Sequence, residues 1–327
     1  MDSPARLLDG TPYRFQRVLG RGGMAIVLEA THGTLGTTVA VKVLHAELGQ
    51  RQDLVERARI EAQVLARLSH PHIVSVSDFG VNLAGQPYMV MERLVGSPLD
   101  QEQKRRGPLP PEDAVNLVLQ LLSGLSAAHA AGVIHRDIKL SNLFVTPDPG
   151  RPGGQRLLVL DFGIAKLARD AALQVAPNCH PTEEGSLLGT PRFVAPEQAL
   201  GKPVDHRADL YAAGLVLYVL LAGRGPFVHH SLTHDLLRAH VLEIPEPPSR
   251  WLETPLPAGL DEVVLTALAK DPNDRYADAG AFADALAETV SPPAEPIRWG
   301  VLLVTALAST AFFFLVLEGV RALWSQM

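Results

Sequence analysis

The octet HRDIKLSN, residues 135–142, lies between two apolar runs, AAGVI before it and LFV after it. Both flanks favour burial, so the fold has to carry Asp137 and Asn142 into a protected place. Buried charged and amide groups are tolerated only when other polar groups meet them. The remaining chain must therefore deliver complementary groups to this point, and that demand constrains the fold more tightly than any local propensity.

The chain is long enough and apolar enough to do so. With 327 residues, 47% hydrophobic and 20% charged, it can bury a large core, which excludes general disorder. The length fits one large domain in two lobes or two ordinary domains. A formal net charge of -6 gives no basic signature of a nucleic-acid binder. Cys179 is the single cysteine, which rules out an internal disulfide and a thiolate zinc site and fits a reducing compartment. The start, MDSPARLLDG, lacks the apolar core of a signal peptide.

Periodicity divides the chain. RFQRVLG leads into a glycine-rich turn, AIVLEA leads out, and TTVAVKVL is a β-branched run with faces Val39/Val41/Val43 and Ala40/Lys42/Leu44. Residues 53–68 read as a helix, because Leu54, Ala58, Glu61, Leu65 and Leu68 fall on one face. HIVSVSDFG and PYMVMERL read as two more strands. From about residue 111 the pattern is helical, with a Pro-Glu-Asp start and a glycine stop. LFV and RLLVL read as a short strand pair around a Pro/Gly loop, and helices dominate after residue 205. The run ADLYAAGLVLYVLLA, 208–222, reads as a buried core helix, too short to cross a bilayer. The fold class is α+β: a small β-rich front with one main helix and a larger, mostly helical back.

Gly300 to Leu317 is 18 residues without a charge. As a helix it would be roughly 27 Å long, close to a bilayer's hydrocarbon thickness. Arg298 and Trp299 at one end and Arg321 and Trp324 at the other suit interfacial anchors. A transmembrane helix is expected over 299–317, after a Pro-rich linker at 289–298 and before a short tail at 318–327. The brief tail points to a tail-anchored protein rather than a receptor.

Three features carry chemistry. Lys42 lies inside a β-branched strand and Glu61 inside an apolar helical stripe, so together they suggest a pair joining sheet to helix. The turn LGRGGMAIV offers backbone N–H groups to phosphates. A strand rather than a helix follows it, which argues against a dinucleotide site. RLLVLDFG ends an apolar strand on Asp161, a candidate ligand for a hard cation, and Asn142 offers an amide oxygen for the same purpose.

Taken in order, LGRGGMAIV, VAVK, Glu61, HRDIKLSN, DFG and APE resemble the motif set of eukaryotic-type serine/threonine protein kinases, above all their bacterial membrane-anchored members. The resemblance spans residues 13–288, with a small lobe over about 13–93 and a large lobe over about 94–288. It implies a two-lobed kinase fold that transfers the ATP γ-phosphate to protein hydroxyls with Mg²⁺, or Mn²⁺ in its place. Asp137 would accept the substrate's proton, Lys139 would touch the γ-phosphate, and Lys42, oriented by Glu61, would bind the α/β-phosphates. Asn142 and Asp161 would hold the metal. Leu19, Gly20, Arg21, Gly22, Gly23, Met24 and Ala25 would fold over the nucleotide. Val27 and Ala40 above and Phe144 below would sandwich the adenine, with Met91 as gatekeeper and the backbone of Glu92 and Leu94 supplying hydrogen bonds.

By the same resemblance Glu197 pairs with Arg275, Asp209 binds the backbone at His135 and Arg136, and His135 is structural. Arg136 beside Asp137 implies an activation loop ordered by phosphate, with Thr182 and Ser186 as phosphosites, Glu184 as a partial charge substitute and Thr190 contacting Asp137 and Lys139. Protein substrates, a homodimer for trans-autophosphorylation, a cytoplasmic catalytic part and the bacterial inner (plasma) membrane follow as expectations. Ala25 in place of a third glycine, Leu140 in place of proline and Arg93 in place of an aromatic depart from the pattern without removing a reactive group. The rivals are a nucleotide-binding scaffold of the same fold, which usually lacks one of these groups, and a small-molecule phosphotransferase, against which GTPRFVAPE argues.

Overall fold

In the computed structural model of the chain, residues 3–23, 25–45, 52–162 and 192–290 are described. Among the described residues eight strands form two sheets. The first five are β1 (Tyr13–Arg21), β2 (Ala25–His32), β3 (Thr38–Leu44), β4 (Val76–Val81) and β5 (Pro87–Glu92), antiparallel in the order β1-β2-β3-β5-β4. The alternation read in β3 decides the two faces of this sheet. Val41 and Val43 are fully buried with Leu28, Tyr88 and Val90 on one face, under Leu8 of a single 3₁₀ turn at Pro4–Leu8. On the other face Ala40, Met89 and Met91 join Ala62 and Leu65 of helix α1 (Gln52–Arg67). Both faces are thereby covered, and the helix boundaries agree with the reading to one residue.

HIVSVSDFG is not strand throughout. β4 begins only at Val76, because the backbone at 72–74 turns to the second sheet: the Val159 N–H donates to the His72 carbonyl and the Val74 N–H to the Val159 carbonyl. Pairing across to another sheet does not show in local alternation. The second sheet is β6 (Ser97–Pro98), β7 (Leu143–Pro147) and β8 (Gln155–Val159), in that order.

The larger part is helical. After α2 (Leu99–Arg106), α3 (Pro111–Ala130) starts on proline followed by Glu112 and Asp113, residues suited to a helix N-terminus, and ends at Gly132 with φ 76°. Then come α4 (Pro196–Ala199), α5 (Arg207–Ala222), α6 (Thr233–Leu242), α7 (Leu260–Ala267) and α8 (Ala279–Val290). α5 is the apolar run anticipated as a core helix. All its residues except Arg207 and Val219 are buried, packed by α3 and α7. Its Gly214 has no room for more, since a Cβ there would lie 2.8 Å from the Ala267 Cβ. No helix among the described residues is long and apolar enough to cross a membrane. The 299–317 segment and its linker lie outside them.

Candidate active site

The two proposed metal ligands come from sequence positions 19 apart, and strand register brings them together. β7 and β8 pair with Leu143 opposite Val159. The ladder extends one step, the Leu160 N–H donating to the Asn142 carbonyl at 2.8 Å. Asn142 and Asp161 therefore emerge side by side at the end of a buried sheet. Asp161 has φ 47°, a left-handed conformation that aspartate tolerates better than most residues. Phe162 behind it is buried and sits with its ring 4.6 Å from that of His135.

Around Asp137 the hydrogen bonds form one network. Lys139 Nζ lies 2.7 Å from Asp137 Oδ2. Asn142 Nδ2 donates to the same oxygen at 3.0 Å and to the Asp137 carbonyl at 2.8 Å. Two acceptors oblige Asn142 to present its NH₂ side there, which leaves Oδ1 as the group for a cation. Amide oxygen plus carboxylate is a hard donor set, so these residues fit Mg²⁺ or Mn²⁺. Across the cleft Lys42, on the inner face of β3, forms an ion pair with Asp161 Oδ1 at 2.7 Å. The partner read for Lys42 was Glu61, whose side chain lies outside the described residues; the partner described is Asp161. Nearly half of the Asp161 side chain is exposed, so solvent and solutes can reach the pair.

The loop that carries Asp137 is anchored to the core helix. Asp209, 1% exposed in the first turn of α5, accepts from the His135 N–H and the Arg136 N–H, each at 2.8 Å, and meets His129 Nε2 at 2.8 Å. These bonds to an ionised acceptor hold Arg136 in its left-handed conformation, φ 63°. His135 is buried and structural. Its Nε2 meets the Leu160 carbonyl at 2.9 Å, while its Nδ1 accepts from the Asp137 N–H at 3.2 Å, which requires the neutral Nε2–H tautomer. Burial pushes its pKa down. Gln198 of α4 donates to the Arg136 carbonyl at 3.0 Å. Neither His129 nor Gln198 was singled out from the sequence. His129 left a signal, standing four residues after Leu125 on the apolar face of α3.

The nucleotide-facing residues form a roof. β1 and β2 are joined by a hairpin in which the Gly22 N–H donates to the Ala25 carbonyl at 2.9 Å. A side chain at Gly20 would meet no atom within 4 Å, so the packing described does not demand glycine there. Gly23 and Arg21 are exposed at the tip and Ala25 is buried, while Met24 lies outside the described residues. Leu19, Val27 and Leu94 pack against the core that contains Ala40 and Met91. Phe144 stands on the face of β7 opposite the buried Leu143 and Val145. The Glu92 N–H already donates to the Ser75 carbonyl, which narrows the expected Glu92 contact to its carbonyl. Among the described residues the Leu94 N–H has no acceptor. Arg93, where an aromatic was noted as common, pairs with Glu29 of β2. With Arg17 on the same carboxylate, the two guanidiniums hold Glu29 below the usual carboxylate range.

Glu197 and Arg275 meet as expected, in a bidentate pair at 2.8 and 2.7 Å with both side chains buried. Thr182, Glu183, Glu184, Ser186 and Thr190 lie outside the described residues.

Comparison with known protein families matches the protein kinase domain over residues 13–288. Serine/threonine-protein kinase Pkn1 of Myxococcus xanthus is 43% identical over 303 residues, covering 91% of this chain and 42% of that protein. PknH of Mycobacterium bovis is 39% identical over 283 residues, covering 86% of this chain and 44% of that protein. The chain thus spans about two fifths of the length of these curated relatives. The crystal structure of the Mycobacterium tuberculosis PknI kinase domain aligns with a TM-score of 0.67 at 30% identity, covering 88% of this chain and 100% of that domain. Family match, two-lobed architecture and the groups gathered in the cleft agree, and the chain belongs to the protein kinase domain family.

Proposed function

We propose that the chain is an ATP-dependent protein-serine/threonine kinase. The observation that carries the reading is the network of Asp137, Lys139 and Asn142 beside the Lys42–Asp161 pair, groups from both sheets held at one place. Asp137 is the acceptor for the proton of the attacking hydroxyl. Lys139 keeps a positive charge beside it, where charge develops on the transferring phosphoryl group. Lys42 exchanges its pairing with Asp161 for the nucleotide phosphates. Asn142 Oδ1 and Asp161 would hold Mg²⁺ or Mn²⁺, which would neutralise phosphate charge when bound. The glycine hairpin, Leu19, Val27, Ala40, Met91, Leu94 and Phe144 hold the nucleotide, and no covalent intermediate is needed, because positioning and electrostatics account for the rate.

The test is transfer of labelled γ-phosphate to myelin basic protein and to the chain itself. Asp137→Asn should lower labelling at least about 100-fold, the scale of a lost general base, with no change in melting temperature. Undiminished labelling by Asp137→Asn would reject the mechanism, and no labelling by the wild-type chain would favour the scaffold reading.

The reading extends to attachment and assembly. The uncharged run 299–317 supports anchoring in the bacterial inner membrane with the catalytic part cytoplasmic, where ATP is. Protein substrates, and a homodimer for trans-autophosphorylation, are part of the same proposal. Recovery in the membrane fraction should be lost on truncation after Ser291; a full chain found in the soluble fraction would contradict it.

A further inference from the structure

His229 and His230 follow α5, in the loop that leads to α6, and Glu243 directly follows α6. The chain folds back so that these three side chains converge. His229 Nε2 lies 3.0 Å from Glu243 Oε1, and His230 Nε2 lies 2.8 Å from Glu243 Oε2. The two imidazole rings are 4.1 Å apart. Among the described residues this is the group of three whose ligand atoms all lie within 4.8 Å of one another. We infer that His229, His230 and Glu243 form a second metal site, distinct in chemistry from the cleft, that takes Zn²⁺.

The donors select the ion. Two imidazoles and one carboxylate suit Zn²⁺ and disfavour Mg²⁺, which takes oxygen ligands. Bonds of about 2.0–2.2 Å at tetrahedral angles place ligand atoms about 3.4 Å apart. His229 Nε2 and His230 Nε2 face different oxygens of Glu243, at 3.0 and 2.8 Å, and the ligand atoms all lie within 4.8 Å of one another, so side-chain rotations at this exposed edge bring them to that spacing. Metal on Nε2 requires the ring proton on Nδ1. His229 is about half exposed and His230 about a quarter, so water can carry that proton from one ring nitrogen to the other. Three protein ligands leave a fourth position for water, the arrangement of an exchangeable rather than a permanently closed site.

The surroundings give the site a fixed side. The Glu243 N–H donates to the Ala239 carbonyl, and Lys270 Nζ holds the His240 carbonyl at 2.9 Å, so the end of α6 is secured. Zn²⁺ would pin the loop carrying His229 and His230 onto that end. α6 in turn packs on α4, which holds Glu197 and Gln198.

The experiment is titration of the full-length Cys179→Ser chain with Zn²⁺ against a chromophoric chelator in excess Mg²⁺, with Co²⁺ as a spectroscopic stand-in. The expected result is one equivalent bound, the visible absorption of a four-coordinate Co²⁺ site, and an affinity lowered at least tenfold in both His230→Ala and Glu243→Gln. His234→Ala, four residues along, should bind as the parent does. Asp161→Asn should also bind normally, which separates this site from the cleft whether or not the chain is active. Binding that survives both His230→Ala and Glu243→Gln, or that disappears in Asp161→Asn, overturns the inference, as does failure to bind in Mg²⁺.

Discussion

Asp209 shows how one side chain sets the geometry of a reactive loop. Two backbone N–H groups and one imidazole converge on a carboxylate that is 1% exposed. Asp209→Ala would strand the His135 and Arg136 donors in the interior and release Arg136 from its left-handed conformation. The expected cost is about 3 kcal/mol or more, read as a lower denaturant midpoint with an unchanged slope. Gly96 is a second position where one atom decides. Its φ is 145°, and a Cβ there would run into the Val145 carbonyl oxygen, a backbone atom with little freedom to move. Gly96→Ala should destabilise by about 1–3 kcal/mol. A melting temperature equal to that of the parent would show that the segment after β5 can relax.

At the scale of elements, the informative contact is α4 against the turn before α8. Arg275 satisfies all five of its N–H donors: Nε on the Ala269 carbonyl, Nη1 on Glu197 and the Arg207 carbonyl, Nη2 on Glu197 and the Lys270 carbonyl. Its guanidinium also lies over the Tyr211 ring at 4.9 Å. A buried pair so completely bonded is costly to break from one side, about 3–5 kcal/mol. Arg275→Ala should therefore destabilise by that amount, and Glu197→Gln by less, since an amide still accepts. Thermal or urea unfolding distinguishes the two, and equal losses would contradict this account. The pairing of the two residues was readable from the resemblance, Glu197 in APE and Arg275 in DPNDRY at residues 271–276. The five-donor arrangement was not, because three of its acceptors are carbonyls whose direction only the folded backbone sets.

At the scale of the molecule, a buried histidine and a half-buried lysine tilt stability toward higher pH. Burial lowers the pKa of His135 in the folded state, so below about pH 6.5 the unfolded chain takes up a proton that the folded chain resists. Burial also lowers Lys270 to about 8 from 10.5. The folded chain therefore binds fewer protons between pH 8 and 10.5, and the Lys270 contribution to stability rises with pH across that window. The difference in unfolding free energy between wild type and Lys270→Met should shift in favour of wild type from pH 8 to 10; a constant difference would show that Lys270 keeps an ordinary pKa. The sequence by itself determined the strands and helices with strong periodicity, the core nature of α5, and which residue types were available for the proposed phosphoryl transfer, because local spacing and residue chemistry are properties of the chain alone. Tertiary structure alone decided that residues 72–74 pair with β8, that Lys42 meets Asp161, that His129 joins Asp209, and that His229, His230 and Glu243 converge. Each is a meeting of groups distant along the chain, fixed by how sheets and helices pack rather than by any pattern between neighbours.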